Sequence, residues 1–422
     1  MDIVTEILEE MSILRKPQKK FLIVLFTTIL LIKGKLNYLN LSRYSKLSER
    51  TYRRQFHKGF HFVQFNKGAI EKVIPPAATQ IFAQDASFLK KSGKKTHGID
   101  WFFNGCAGRP ERGLEISVIS VIDLDANQGY ALSVKQTKPR ELTPEPTKSR
   151  LNHNNSPKGK TKDKQRLPEE TIIDFYLQHL RETRPYLPKA LKCGVFDGFY
   201  AKQKFIDGVC ALEFSAVSKL RVDANMRYLY TGAYNGHGRP KTYDGKVKVE
   251  DLHRLDCIGQ IEPNLFLYTA VVYHVTLRRK IRIALLVNIE NKTKPRFALL
   301  FSTNIEMSAF DIYRFYKARF QIEFIFRDAK QFTGLADCQA RHSKALDFHF
   351  NASLSAVNLA KIEAWLQRDT LKPFVFSLAT YKQVAFNQHF LDFILSNLDI
   401  DLSSIKSHPN YQNIISFATI AA

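Results

Sequence analysis

Tryptophan, methionine and cysteine are scarce in these 422 residues, with two, four and five of each. The cysteines (Cys106, Cys193, Cys210, Cys257, Cys338) are odd in number and far apart. With no Cys-x-x-Cys pair and no histidine at zinc-finger spacing, neither a disulfide framework nor structural zinc is supported, and a reduced, cytosolic chain is expected. Long apolar runs are missing too. The longest, Phe21 to Ile32 (FLIVLFTTILLI), has 12 residues, whereas a spanning helix needs ~20. A signal-peptide reading fails because Asp2, Glu6, Glu9 and Glu10 stand where a cationic start belongs and no small-residue cleavage site follows. The run therefore predicts a buried helix, and no membrane partner is expected. No Gly-x-Gly-x-x-Gly occurs, and Gly93 to Thr96 (GKKT) lacks the upstream glycine of a phosphate-cradling loop, so no nucleotide cofactor is supported.

Acidic residues are also in short supply. Against 63 Lys+Arg there are 40 Asp+Glu, a formal excess of +23, while 45% of the chain is apolar. The apolar share excludes disorder, and the length predicts two or three domains. Surplus positive charge needs a polyanion to screen it. From Ser343 to Ala422 six cations meet six anions, so the whole excess lies upstream. Concentration of this kind favours a footprint on double-stranded DNA over a uniform solubility device.

Residues 1 to 75 read as a helical, DNA-binding region. Within it Leu39 to Phe60 has the pattern of helix, turn, helix, with Ser48 as N-cap of the second. That helix carries Arg50, Arg53 and Arg54, whose guanidinium forks suit guanine edges and phosphates in a major groove; a solvated basic face is the alternative. After Pro75 and Pro76, strands are expected at Gln80 to Gln84, Leu114 to Ile122 and Gly129 to Gln136. Lys138 to Arg166 holds nine cations against three anions and reads as a basic loop. A helix (Glu169 to Leu187), a strand (Leu191 to Phe196) and a helix (Lys202 to Leu212) follow, which implies a mixed or parallel sheet. A β-rich insertion is expected over 223–303, a long helix from Ser308 to Phe332, and further helices over 343–422.

Phosphoryl transfer on DNA needs hard oxygen ligands that converge on Mg²⁺ or Mn²⁺. Asp85 ends the apolar strand QIFAQD, with Lys91 and Lys94 just beyond as candidate DNA contacts. Asp197 ends LKCGVFD before Gly198. Each could equally be a turn residue. Tyr316, Arg319, Glu323 and Lys330 follow at intervals of three, four and seven within an aromatic helical stretch. At roughly 100° per residue they share one face. The alternative is a plain helix-stabilising ion pair.

This Tyr-x2-Arg-x3-Glu-x6-Lys pattern resembles the signature of bacterial insertion-sequence transposases of the DDE superfamily, over roughly residues 80 to 342. The resemblance implies an α/β, ribonuclease-H-like mixed sheet with helices, divided between 76–222 and 304–342 by the β-strand insertion. It implies that Asp85, Asp197 and Glu323 hold two Mg²⁺ or Mn²⁺ ions, and that Tyr316, Arg319 and Lys330 grip phosphates near the cut. Element-end and target DNA would be substrates, a homodimer would pair the ends in a synaptic complex, and the protein would act in the cytoplasm at the nucleoid. A tryptophan in the insertion captures a flipped base in some members; here both tryptophans, Trp101 and Trp365, fall outside it, leaving Phe297 or Phe301 as substitutes or as core residues. Rival readings are a catalytically silent DNA-binding protein and a structure-selective nuclease on the same scaffold.

Overall fold

Helices occupy the start of the chain: α1 (Asp2–Glu10), α2 (Lys16–Leu31), α3 (Tyr38–Arg43), α4 (Glu49–Phe56) and α5 (Phe62–Glu71). The apolar run lies in α2, which carries Pro17 in its first turn, where a missing N–H costs nothing, and buries Phe21, Leu22, Leu25, Phe26 and Ile29. Among the described residues no helix is long and apolar enough to cross a membrane. The computed structural model describes residues 2–93, 95–139, 171–234, 236–291, 294–371 and 374–419, with backbone alone at 402 and 404. Lys94 and nearly all of the basic loop, 140–166, lie outside the described residues.

Strands then dominate: β1 (Gln80–Lys90), β2 (Asp100–Asn104), β3 (Arg109–Asp123), β4 (Gln128–Gln136), β5 (Cys193–Phe196) and β6 (Ser215–Leu220), with α6 (Ile172–Thr183) and α7 (Gln203–Ala211) between the last three. β3 runs antiparallel to β1 and β4 antiparallel to β3, while β5 is parallel to β1 and β6 parallel to β5. The order β4-β3-β1-β5-β6, three antiparallel strands followed by two parallel ones, is the ribonuclease-H-like arrangement, and the fold is mixed α/β as the sequence predicts. The insertion supplies β7 (Met226–Leu229), β8 (Tyr243–Lys246), β9 (Asp256–Glu262), β10 (Leu265–His274), β11 (Arg279–Asn288) and β12 (Arg296–Ser302). β12 pairs with β6, so among the described residues one twelve-stranded sheet results.

The chain closes with α8 (Ala309–Ala318), α9 (Phe320–Phe332), α10 (Ser343–Leu366), α11 (Leu378–Asn397), α12 (Leu402–Lys406) and α13 (Tyr411–Ile415). The expected single helix from Ser308 to Phe332 is broken. Arg319 N–H donates to both Phe315 O and Tyr316 O, and Ile322 N–H to Arg319 O, which tightens one turn to the three-residue spacing and divides the helix there. α6 and α7 cover one sheet face, where Phe196 meets Phe205 edge-on at 4.9 Å. α9 lies across β1 and β4 on the other. Its approach to β4 is close enough that a Cβ on Gly129 would come 2.8 Å from Gln321 Cβ.

The starting helices do not stand apart from this body. Phe21, Phe56 and Phe62 pack around Phe348 of α10 at 6.4, 4.6 and 5.1 Å. Asn358 of α10 takes the N–H of Ala131 and donates to its carbonyl, while Asn66 of α5 donates to Leu132 O. These amides satisfy the free edge of β4, which would otherwise invite another strand.

Candidate active site

β1 does not stop at Asp85, as its apolar stretch suggests; it continues to Lys90, because β3 pairs with it throughout. Asp85 is therefore a mid-strand residue. Alternation sends Gln84 to the α6 side, where it donates to Ser117 Oγ (3.2 Å) and Tyr176 O (2.9 Å), and Asp85 to the α9 side. β5 is in register with β1 through Gln84 opposite Phe196. Asp197 follows Phe196 directly and keeps an extended backbone (φ −68°, ψ 162°), so it stands one step past the last paired residues of β5, where its charge reaches Asp85. Its carbonyl is anchored by Ser218 Oγ and Tyr200 N–H, both at 3.0 Å.

The third carboxylate arrives from α9. Arg319 Nη1 donates to Asp85 Oδ2 at 3.0 Å and Nη2 to Glu323 Oε1 at 2.7 Å, so one guanidinium joins strand and helix. The arginine side chain is 12% exposed, those of Asp85 and Glu323 21% and 38%. Burial pushes the Asp85 carboxyl up to about 6; Arg319 and the Ala86 N–H oppose that, and the charges of Asp197 and Glu323 add to it. Burial works against the charge on Arg319, yet Asp85, Tyr316, Glu323 and Asp197 outweigh it and hold the guanidinium above its usual range. Tyr316 completes the group: its ring lies 5.7 Å from the Arg319 guanidinium carbon, and burial, with Asp197 and Asp85 adding, raises its phenol.

Tyr316, Arg319, Glu323, Asp85 and Asp197 thus gather at one place. Lys330 does not join them. Two turns along α9, it lines a cleft of about 470 Å³ with Lys33, Lys35, Asp337 and Lys382, and burial lowers its ammonium. Lys91 bonds to Cys338 O, so its ammonium is already engaged. On α4, Ser48 Oγ caps the helix by accepting from Thr51 N–H, Tyr52 and Phe56 are buried, and Arg50, Arg53 and Arg54 remain exposed beside a groove of about 620 Å³. Arg53 pairs with Glu49 on its own helix. Phe301 is fully buried and Phe297 packs against the core.

Among the described residues no three Asp, Glu, His or Cys side chains already stand close enough to share a metal ion. The guanidinium accounts for this at Asp85 and Glu323, because it occupies the space between them. The donor set nonetheless fits a hard divalent cation: carboxylate oxygens that already converge on one positive charge. Arg319 Nε is buried with no hydrogen-bond partner, a donor awaiting an oxygen acceptor.

Sequence reasoning missed β2 and the lysine cleft. The aromatic run Trp101 to Phe103, bounded by Gly98 and Gly105, could have exposed the first; the second unites residues from four distant segments and left no local signal. A family model for DDE superfamily endonucleases matches residues 48–263, just over half the chain, and the protein belongs to that family. The match takes in Asp85 and Asp197 and ends before Glu323. No curated protein matches the chain. Membership gives the coarse activity, nuclease or transposase chemistry on DNA assisted by divalent metal.

Proposed function

We propose that the protein is a cut-and-paste DNA transposase that binds the ends of an insertion sequence, cleaves them and joins the freed 3′ hydroxyl to target DNA, with hairpin ends as the intermediate. The supporting observation is that Arg319 bonds to both Asp85 and Glu323, while Asp197, just past the last residue of β5 that pairs with β1, acts by its charge on Asp85. These three carboxylates would hold Mg²⁺ or Mn²⁺, two ions when fully loaded, which supply activation of the attacking oxygen and charge relief at the departing one.

The chain's own groups do the rest. Arg319, released from its carboxylates and with Nε unmatched, presents a planar fork to a phosphate. Tyr316 stands beside it as a phenol donor, and Lys330 provides a point charge two helical turns beyond Glu323, about 10 Å at 1.5 Å per residue. Both would hold the strand so that an oxygen nucleophile, first water and then the 3′ hydroxyl, meets the phosphorus in line. The exposed arginines of α4 would grip the element end.

Purified protein with Mg²⁺ and a labelled element-end duplex, scored for binding, nicks, hairpins and joined products, tests this. Glu323→Gln should keep DNA affinity and abolish all three products. Loss of both together would remove Glu323 from the metal site. Cleavage without joining would select a nuclease, and binding without cleavage a silent DNA-binding protein.

A further inference from the structure

The hairpin of β2 and β3 carries a surface that nothing in the cleavage chemistry uses. Trp101 and Phe103 are each 61% exposed, although they lie in a paired strand. Their cross-strand partners are Arg112 and Pro110, both exposed. The four side chains therefore form one plane of indole, phenyl, pyrrolidine and guanidinium. The opposite face of the hairpin is tied down: Phe102 is buried, Asn104 donates to Glu111, and Arg109 pairs with Glu111. Among the described residues neither exposed ring stacks on another ring.

Register settles which way this plane looks. Asp85 is opposite Val118, and alternation along β3 carries that side through Ile116 and Leu114 to Arg112. Trp101 and Phe103 consequently share the sheet face of Asp85. They lie beyond Lys90, which is five residues past Asp85 on β1, or about 17 Å at ~3.3 Å per residue. A cation stands close by: Lys330 of α9 lies near Cys106 in the hairpin turn.

We infer that this plane is a stacking platform for unpaired bases of the DNA strand that runs from the carboxylates along α9. It rests on the DNA-processing reading given above. Flat rings beside guanidinium and ammonium groups accept any base by its π face while the cations follow the phosphates. An uncharged partner would leave the Arg112 guanidinium within the plane unanswered.

The test compares a blunt duplex with the same duplex carrying unpaired tails, and with a short oligothymidylate. In a Trp365→Phe background Trp101 is the sole indole, and oligothymidylate should quench it. Trp101→Ala with Phe103→Ala should weaken tailed-duplex and oligothymidylate binding by roughly tenfold or more, leave blunt-duplex affinity and the melting temperature unchanged, and be rescued in part by Trp101→Phe. Equal loss on tailed and blunt DNA, or no loss, overturns the platform. So does loss of self-association with tailed-DNA affinity intact, which would assign the plane to a second copy. A wild-type protein that binds blunt duplex without preferring tails overturns the platform alone; one that binds neither overturns the DNA-processing reading as well.

Discussion

Arg319 separates two carboxylates that would repel each other without it. Arg319→Ala should cost about 2 kcal/mol in metal-free protein, less than the ~3–5 kcal/mol of breaking a fully buried pair, because Glu323 is 38% exposed and partly screened. Added Mn²⁺ should restore the lost stability, and a Mn²⁺ titration by electron paramagnetic resonance should show tighter binding than wild type. An unchanged Mn²⁺ affinity would mean that the guanidinium and the ion do not compete. Asp85 gives a second expectation. Its carboxyl lies at about 6 in the fold, above the ordinary 3.8, so the stability it contributes is complete below about 4 and lost as pH rises through about 6. Melting of the metal-free protein should show that slope, and Asp85→Asn should flatten it. Mn²⁺ affinity should fall roughly tenfold per pH unit below about 6, as one proton competes with the ion. At this scale the sequence exposed the spaced Tyr316, Arg319 and Glu323, because helical spacing is local. That Arg319 bridges to Asp85, 234 positions away, is a property of the folded sheet and helix together.

Helix α4 was legible to its cap: Ser48 sits where a short polar oxygen can meet a free N–H, and Tyr52 and Phe56 fall on the buried side. If this helix reads the element end, Arg53→Ala with Arg54→Ala should weaken binding by up to ~3 kcal/mol and reduce the salt dependence by about two counterions. Arg54 should account for the larger part, since Arg53 is paired with Glu49; filter binding across a salt series measures both. Other elements were harder to read. β1 runs past its apolar stretch because β3 continues to pair with it, and a ladder is invisible in one strand's composition. The helix after Ser308 looks continuous by periodicity, yet the turn at Arg319 tightens. β2 went unread because its three consecutive aromatics do not alternate with polar residues, although its side chains alternate between the two faces once folded.

Charge and apolar surface divide the whole molecule. Residues 343–422 balance their charges while the remainder carries the excess, and within this neutral part α11 leaves Phe390 and Phe393, and its C-cap Leu398, more than half exposed. A second copy can approach there without the repulsion that basic surfaces would impose elsewhere. If, as proposed, two copies pair the element ends through this face, Phe390→Glu with Phe393→Glu should abolish complexes that hold two ends while sparing single-end binding, as sedimentation with DNA would reveal. The helical regions were recognisable in advance, but their shared packing on α10 was not, for it depends on aromatic side chains from both ends of the chain. The ladder between β6 and β12 has a mechanical corollary. It welds the inserted strands to the nucleolytic half as one stiff girder, ten strands along its main path and about 43 Å wide at ~4.8 Å per strand. In the proposed reaction, any travel between cutting and joining would then fall to the DNA or to the flanking helices.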